Sequence, residues 1–158
     1  MPEIATTTPQ RAAWTLSVDD VRLIRTSFER ARPVFHVAPD LFYERLFYLA
    51  PSLRRLFPDD MHQPKRRFVE MLVTVVRGIG HPELLIALLG HLGQRLGSRG
   101  VTAAHYRNAG DAFIWMLERV FADALTREIE IAWTRGYDQL TRVMQDAANS
   151  VRQPMRAA

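Results

Sequence analysis

From Ser17 onward, apolar residues recur at intervals of three and four, the period of helices that bury one face. Val21, Ile24 and Phe28 set the first stripe, over a helix from Val18 to about Ala31 that Ser17 caps and Pro33 closes. A second helix opens near Pro39 and Asp40, turns Leu41, Phe42, Leu46 and Phe47 inward, and ends at Pro51. A short turn from Ser52 to Phe57 leads to a loop from Pro58 to His62. Pro64 suits the first turn of the third helix, where its missing N–H costs little, and the apolar face Phe68, Met71, Leu72, Val75 and Val76 continues to Gly78. The fourth helix starts at Pro82 with the stripe Leu85, Leu88, Leu89, Leu92 and Leu96, and Gly97 and Gly100 stop it. Two longer helices follow, about Thr102 to Phe121 and about Thr126 to Arg152. No segment alternates with the period of a strand, and there is no Gly-rich phosphate loop, internal repeat or low-complexity tract. The pattern predicts an all-α fold in which residues 1–16 are an N-terminal tail, 17–152 one domain and 153–158 a C-terminal tail.

Composition narrows the chemistry. A chain of 158 residues that is 47% hydrophobic carries enough apolar surface for one core. With no Cys, disulfides, thiolate nucleophiles, Cys-ligated zinc and iron–sulfur clusters are excluded together. A metal ligand would have to come from His36, His62, His81, His91, His105, the carboxylates or a tyrosine. The net charge of +4 comes from 21 Lys plus Arg, spread along the chain, against 17 Asp plus Glu, which predicts no nucleic-acid partner. No apolar run is long enough for a signal-peptide core or a membrane span, so the expectation is a soluble cytoplasmic protein with no membrane partner. Lys65-Arg66-Arg67 is expected to be a solvated helix face, and Asp59-Asp60 lacks a companion at metal-binding spacing. No Ser/His/Asp or paired-carboxylate arrangement argues for an enzyme.

Several ordered motifs carry a resemblance. Tyr43 within LFYERLF, the segment APSLRRLFP ending at Phe57, the helix start HQPKRRF, the run RGVTAAHY and the later AWTRGY together resemble the bacterial single-domain globins. These are the haemoglobins related to the Vitreoscilla type and to the haem domain of flavohaemoglobins. The similarity covers about residues 17–148, and needs no gap from Phe68 to Met144. It implies a globin fold, with helices packed around a haem-type pocket, haem b as cofactor and a diatomic gas as ligand. In that frame Phe57 matches the phenylalanine that stacks on the porphyrin, Tyr43 the tyrosine that reaches a distal ligand, and Phe68 the apolar residue over the iron. The distal position that relatives often fill with glutamine falls on Pro64, with Gln63 one residue earlier and able to serve if the loop shifts by one.

The proximal position departs from the family. Its histidine lies four residues before the Gly-Val that here is Gly100-Val101, and that place holds Leu96, which has no lone pair for iron. Tyr106 matches the tyrosine that hydrogen-bonds near the proximal histidine, while the usual glutamate partner falls at about Ala148. Substitutes are poorly placed. His91 lies roughly 140° round the helix from Leu96, His62 starts the distal helix, and His105 lies past the glycine turn. Two classes of function follow. One is the family's role, reversible oxygen or nitric oxide binding by haem; nitric oxide dioxygenation would then need an outside reductase. The other is a haem-poor or haem-less globin that senses or interacts through a protein partner.

Overall fold

The computed structural model describes residues 14–152. Of the tails expected at residues 1–16 and 153–158, residues 1–13 and 153–158 lie outside the described residues, whereas residues 14–16 are held against the domain through Trp14, Leu16 and the Thr15–Gln139 bonds. Six α-helices follow in order: α1 (Val18–Ala31), α2 (Ala38–Leu49), α3 (His62–Gly78), α4 (Pro82–Ser98), α5 (Ala103–Phe121) and α6 (Arg127–Arg152). Short 3-10 helices at Arg32–Val37, Pro51–Leu56 and Ala122–Ala124 join three of the steps, and no strand occurs among the described residues. The turn predicted at Ser52 to Phe57 is thus a 3-10 helix shifted one residue earlier, because Pro51 presets its first turn.

Local chemistry explains the helix ends. Ser17 and Asp20 form a reciprocal capping box at α1, satisfying two backbone donors that the first turn leaves free. Thr102 caps α5 in the same way, but its partner at the third position is His105, whose Nδ1 accepts the Thr102 backbone N–H at 3.0 Å. The end of α4 corrects one expectation. Gly97 does not stop the helix, which runs on to Ser98; the terminator is Gly100, at φ +91°, after which the Val101 N–H reaches back to the Leu96 carbonyl at 3.1 Å. Gly97 is buried inside the helix for a different reason, given below.

The core sits between α1, α3, α4, α5 and α6 around the fully buried Ile24, Ile79, Leu85, Met116 and Leu117. Leu85 and Leu89 of the predicted leucine stripe are buried, and Leu92 and Leu96 pack against the same core. Leu88 is 37% exposed. Five leucines at these spacings wrap more of the helix than one neighbour covers, and position 88 falls at the edge. Buried polar groups are tied down: the Trp133 indole N–H donates to Ser27 Oγ at 2.9 Å, and Thr15 donates through its backbone N–H and hydroxyl to Gln139 Oε1. Trp14 and Leu16 pack on the core ahead of the Ser17 cap.

Packing is closest between α4 and α6, which meet at the level of the backbone. A Cβ built on Gly93 would fall inside the Met144 backbone, and one on Gly97 would come within 2.9 Å of the Ala148 Cβ. Gly90 faces Ala147 with ordinary clearance, 3.8 Å. Spacings of three and four place these glycines on one side of α4, so two helix axes can approach where side chains would hold them apart. That is the role of Gly97.

Candidate functional site

The residues predicted for the distal wall come together. The Tyr43 ring lies 5.4 Å from Phe57 and 5.9 Å from Phe68, both edge-on, and Phe42 stacks on Phe68 at 4.7 Å. Phe47 completes the group, 5.8 Å from Tyr43 and 5.4 Å from Phe57. The helix α2 supplies three of these rings, the end of the following 3-10 helix supplies Phe57, and α3 supplies Phe68. The Tyr43 hydroxyl donates to the Pro64 carbonyl at 3.4 Å. Burial pushes that hydroxyl up to about 12, because the phenolate would lose its hydration. Gln63 is exposed, one residue before Pro64 and outside the cluster. The basic run beside it is engaged locally: Lys65 pairs with Asp40 at 2.7 Å and Arg66 with Glu70 at 3.1 Å.

On the opposite side, Leu96 is half-buried against the main core near the end of α4. Tyr106, on the first turns of α5, is 8% exposed, and its hydroxyl is fully buried without a hydrogen-bond partner among the described residues. Burial raises its pKa. Its carbonyl, by contrast, accepts a 2.6 Å bond from the Tyr137 hydroxyl. The Tyr137 pKa is raised as well, first by burial and then by the negative charge of Tyr106, Asp138 and Asp111. Tyr137 also lies across Gly110, whose missing side chain makes room for the ring. The sequence motif AWTRGY contains Tyr137, yet its partner is 31 residues away and the bond is invisible along the chain. Ala148, near the place where relatives carry a carboxylate, lies against Gly97.

None of the five histidines turns a free ring nitrogen toward this region. His36, His62, His81 and His91 are exposed. His105 spends Nδ1 on the Thr102 N–H and lies 3.4 Å from Ser52 Oγ through Nε2. Because Nδ1 accepts, Nε2 carries the proton, so His105 cannot take one from Ser52 and the pair is not a nucleophile–base dyad. Among the described residues no group of three or more His, Asp or Glu is arranged to hold a metal. A haem iron held from α4 needs a lone pair on its inner face, and Leu96 supplies methyl groups there. The residues present on this wall therefore do not fit an axially bonded iron. A polar depression on α6, lined by Asp138, Arg142 and Asp146 among others, contains none of the predicted site residues.

Helix order, the short 3-10 connections and the aromatic wall between α2 and α3 are those of a globin-type all-α domain. The chain belongs to the globin family, whose profile matches residues 40–144. It is 30% identical over 107 residues to a flavohemoprotein of Rhizobium meliloti, a match covering 65% of this chain and 26% of that protein. It is 23% identical over 134 residues to a flavohemoprotein of Vibrio cholerae, covering 83% of this chain and 34% of that one. The chain thus spans about a quarter to a third of these relatives. The structure of an engineered carbene transferase from Rhodothermus marinus superposes with a TM-score of 0.78 over 87% of this chain and 96% of that one, at 23% identity, which shows the shared fold. Globins generally bind haem and, with haem bound, diatomic gases. No helix among the described residues is long and apolar enough to cross a membrane.

Proposed function

We propose that this chain is a globin that works without an iron bond from α4, as a sensing or interaction module acting through a partner protein. The observation that carries this reading is Leu96: at the position the resemblance assigns to the axial histidine, α4 presents a hydrocarbon side chain. The buried and unpartnered Tyr106 hydroxyl supports it, since that group would be satisfied by a ligating imidazole. The mutual packing of Phe42, Tyr43, Phe57 and Phe68 supports it from the other side, because these rings make a cohesive apolar wall among themselves. On this reading Tyr43 is a core residue whose hydroxyl serves the Pro64 carbonyl rather than a gas ligand. The family's ordinary role, reversible oxygen or nitric oxide binding on haem b, needs the lone pair that Leu96 lacks.

The test is an absorption spectrum of the chain purified with haem supplied. The expected result is substoichiometric haem without a sharp Soret band, and a Leu96→His variant with clearly greater uptake. A stoichiometric Soret band in the parent that shifts on reduction and on carbon monoxide would overturn the proposal. Single replacements of His62, His91 and His105 would then identify the ligand.

A further inference from the structure

We propose that the outward faces of α2 and α5 form the interface of a two-fold homodimer. Trp115 sits at the centre of the outward face of α5, with the Arg119 guanidinium carbon 3.4 Å from its ring centroid and that of Arg45, from α2, at 5.4 Å. Arg45 also stacks on Tyr48, at 4.9 Å. Tyr48 is 73% exposed, and Val37, which precedes the first residue of α2, is 39% exposed. The result is one continuous surface of Trp, Tyr and Arg, the residues that dominate the energetics of protein interfaces.

The charges on this surface select the occupant. Each helix contributes a neighbouring acid and base, Glu44-Arg45 on α2 and Glu118-Arg119 on α5. Among the described residues none of these four side chains makes an ion pair, so all four are available to a partner. The two guanidinium groups lie over the Trp115 ring; apart from one bond from Arg119 to the Trp115 carbonyl, no hydrogen bond among the described residues uses their donors. A partner of single charge would be attracted by half of this pattern and repelled by the other half. A second copy turned by a two-fold axis brings Arg of one chain opposite Glu of the other, twice, around the stacked rings.

The test uses the whole chain without added haem, so its outcome is independent of what α4 ligates. Sedimentation velocity is expected to show a concentration-dependent dimer with a Kd on the order of 10 μM or tighter, weakening as salt is raised. The variants Arg45→Glu/Arg119→Glu and Glu44→Arg/Glu118→Arg should each weaken self-association by at least about tenfold while keeping the parent's helical circular dichroism. Mixing them should restore a heterodimer. Leu84→Ser, at another exposed apolar position on α4, should leave the dimer unchanged. A parent that sediments as a monomer up to ~100 μM, a dimer that survives both charge reversals, or a mixture that stays monomeric would overturn the proposal. Tyr48→Ala, a truncation of an exposed side chain, checks the same face if a charge-reversed chain folds poorly.

Discussion

Two regions of this globin are built on different principles. The wall of α2 and α3 is side chain against side chain: five aromatic rings at centroid distances of 4.7–5.9 Å, with the Tyr43 hydroxyl given an acceptor. The contact of α4 with α6 is backbone against backbone at Gly93 and Met144, and Tyr106 at the start of α5 keeps a buried hydroxyl with no partner among the described residues. One wall is complete in itself. The other carries a polar group, the Tyr106 hydroxyl, that the local structure leaves unsatisfied.

That contrast can be broken most severely at the crossing. Gly93→Val puts a branched side chain where the Met144 backbone runs, so α4 must separate from α6; a loss of about 4 kcal/mol or more is expected in denaturant unfolding. A variant that melts within a degree or two of the parent would show that the helices slide apart freely.

Alkaline pH tests the distal wall. Tyr43 ionises near its ordinary value of 10.0 when unfolded and at about 12 in the fold. Its contribution to stability is therefore full below pH 10 and is lost as pH rises through about 12. The loss attributable to this residue is on the order of 2 kcal/mol. A Tyr43→Phe chain should show a correspondingly shallower alkaline decline, and an identical decline would mean that the hydroxyl is better hydrated than its burial implies.

The proximal hydroxyl should respond in the opposite sense to mutation. Removing an unsatisfied buried donor leaves nothing behind, so Tyr106→Phe is expected to stabilise the chain by about 1 kcal/mol. Tyr137→Phe should cost about 1 kcal/mol, because it removes the 2.6 Å bond to the Tyr106 carbonyl. If Tyr106→Phe destabilises instead, the hydroxyl has a partner and the difference between the walls disappears. The smallest effect belongs to Gly90→Ala: its Cβ has ordinary clearance from Ala147, and replacing a mid-helix glycine should add roughly 0.5 kcal/mol.

Much of this fold is legible along the chain because its helices bury one face each and end on Pro, Gly, Ser or Thr. The six helix spans follow from period and caps to within a residue or two. What escapes is whatever depends on a distant neighbour. Gly97 looks like a terminator because a glycine that ends a helix and a glycine that admits a second backbone have the same letter; the difference is Ala148, far along the chain. Leu88 completes a stripe on paper and is exposed in space, since no helix covers that edge of α4. For the candidate site, Tyr43, Phe57 and Phe68 pack on one another, whereas the Tyr106–Tyr137 relation and the isolation of the Tyr106 hydroxyl could not be read from spacing. The three glycines of α4 at spacings of three and four were the available signal for a close crossing.

That crossing has a mechanical consequence. At Gly93 the backbone of α4 meets that of α6 at Met144, so a tilt of α4 would turn about this point. Pro82 lies eleven residues from this point, about 16 Å along the axis, while Leu96 lies three residues away, about 4.5 Å. A tilt of α4 that swings its first turn by several ångströms moves position 96 by less than a third as much, and the contact of Gly97 with Ala148 damps it further. The long arm of the lever points away from the tyrosine. Whatever pulls on α4 is amplified at Pro82 and nearly silent at Leu96.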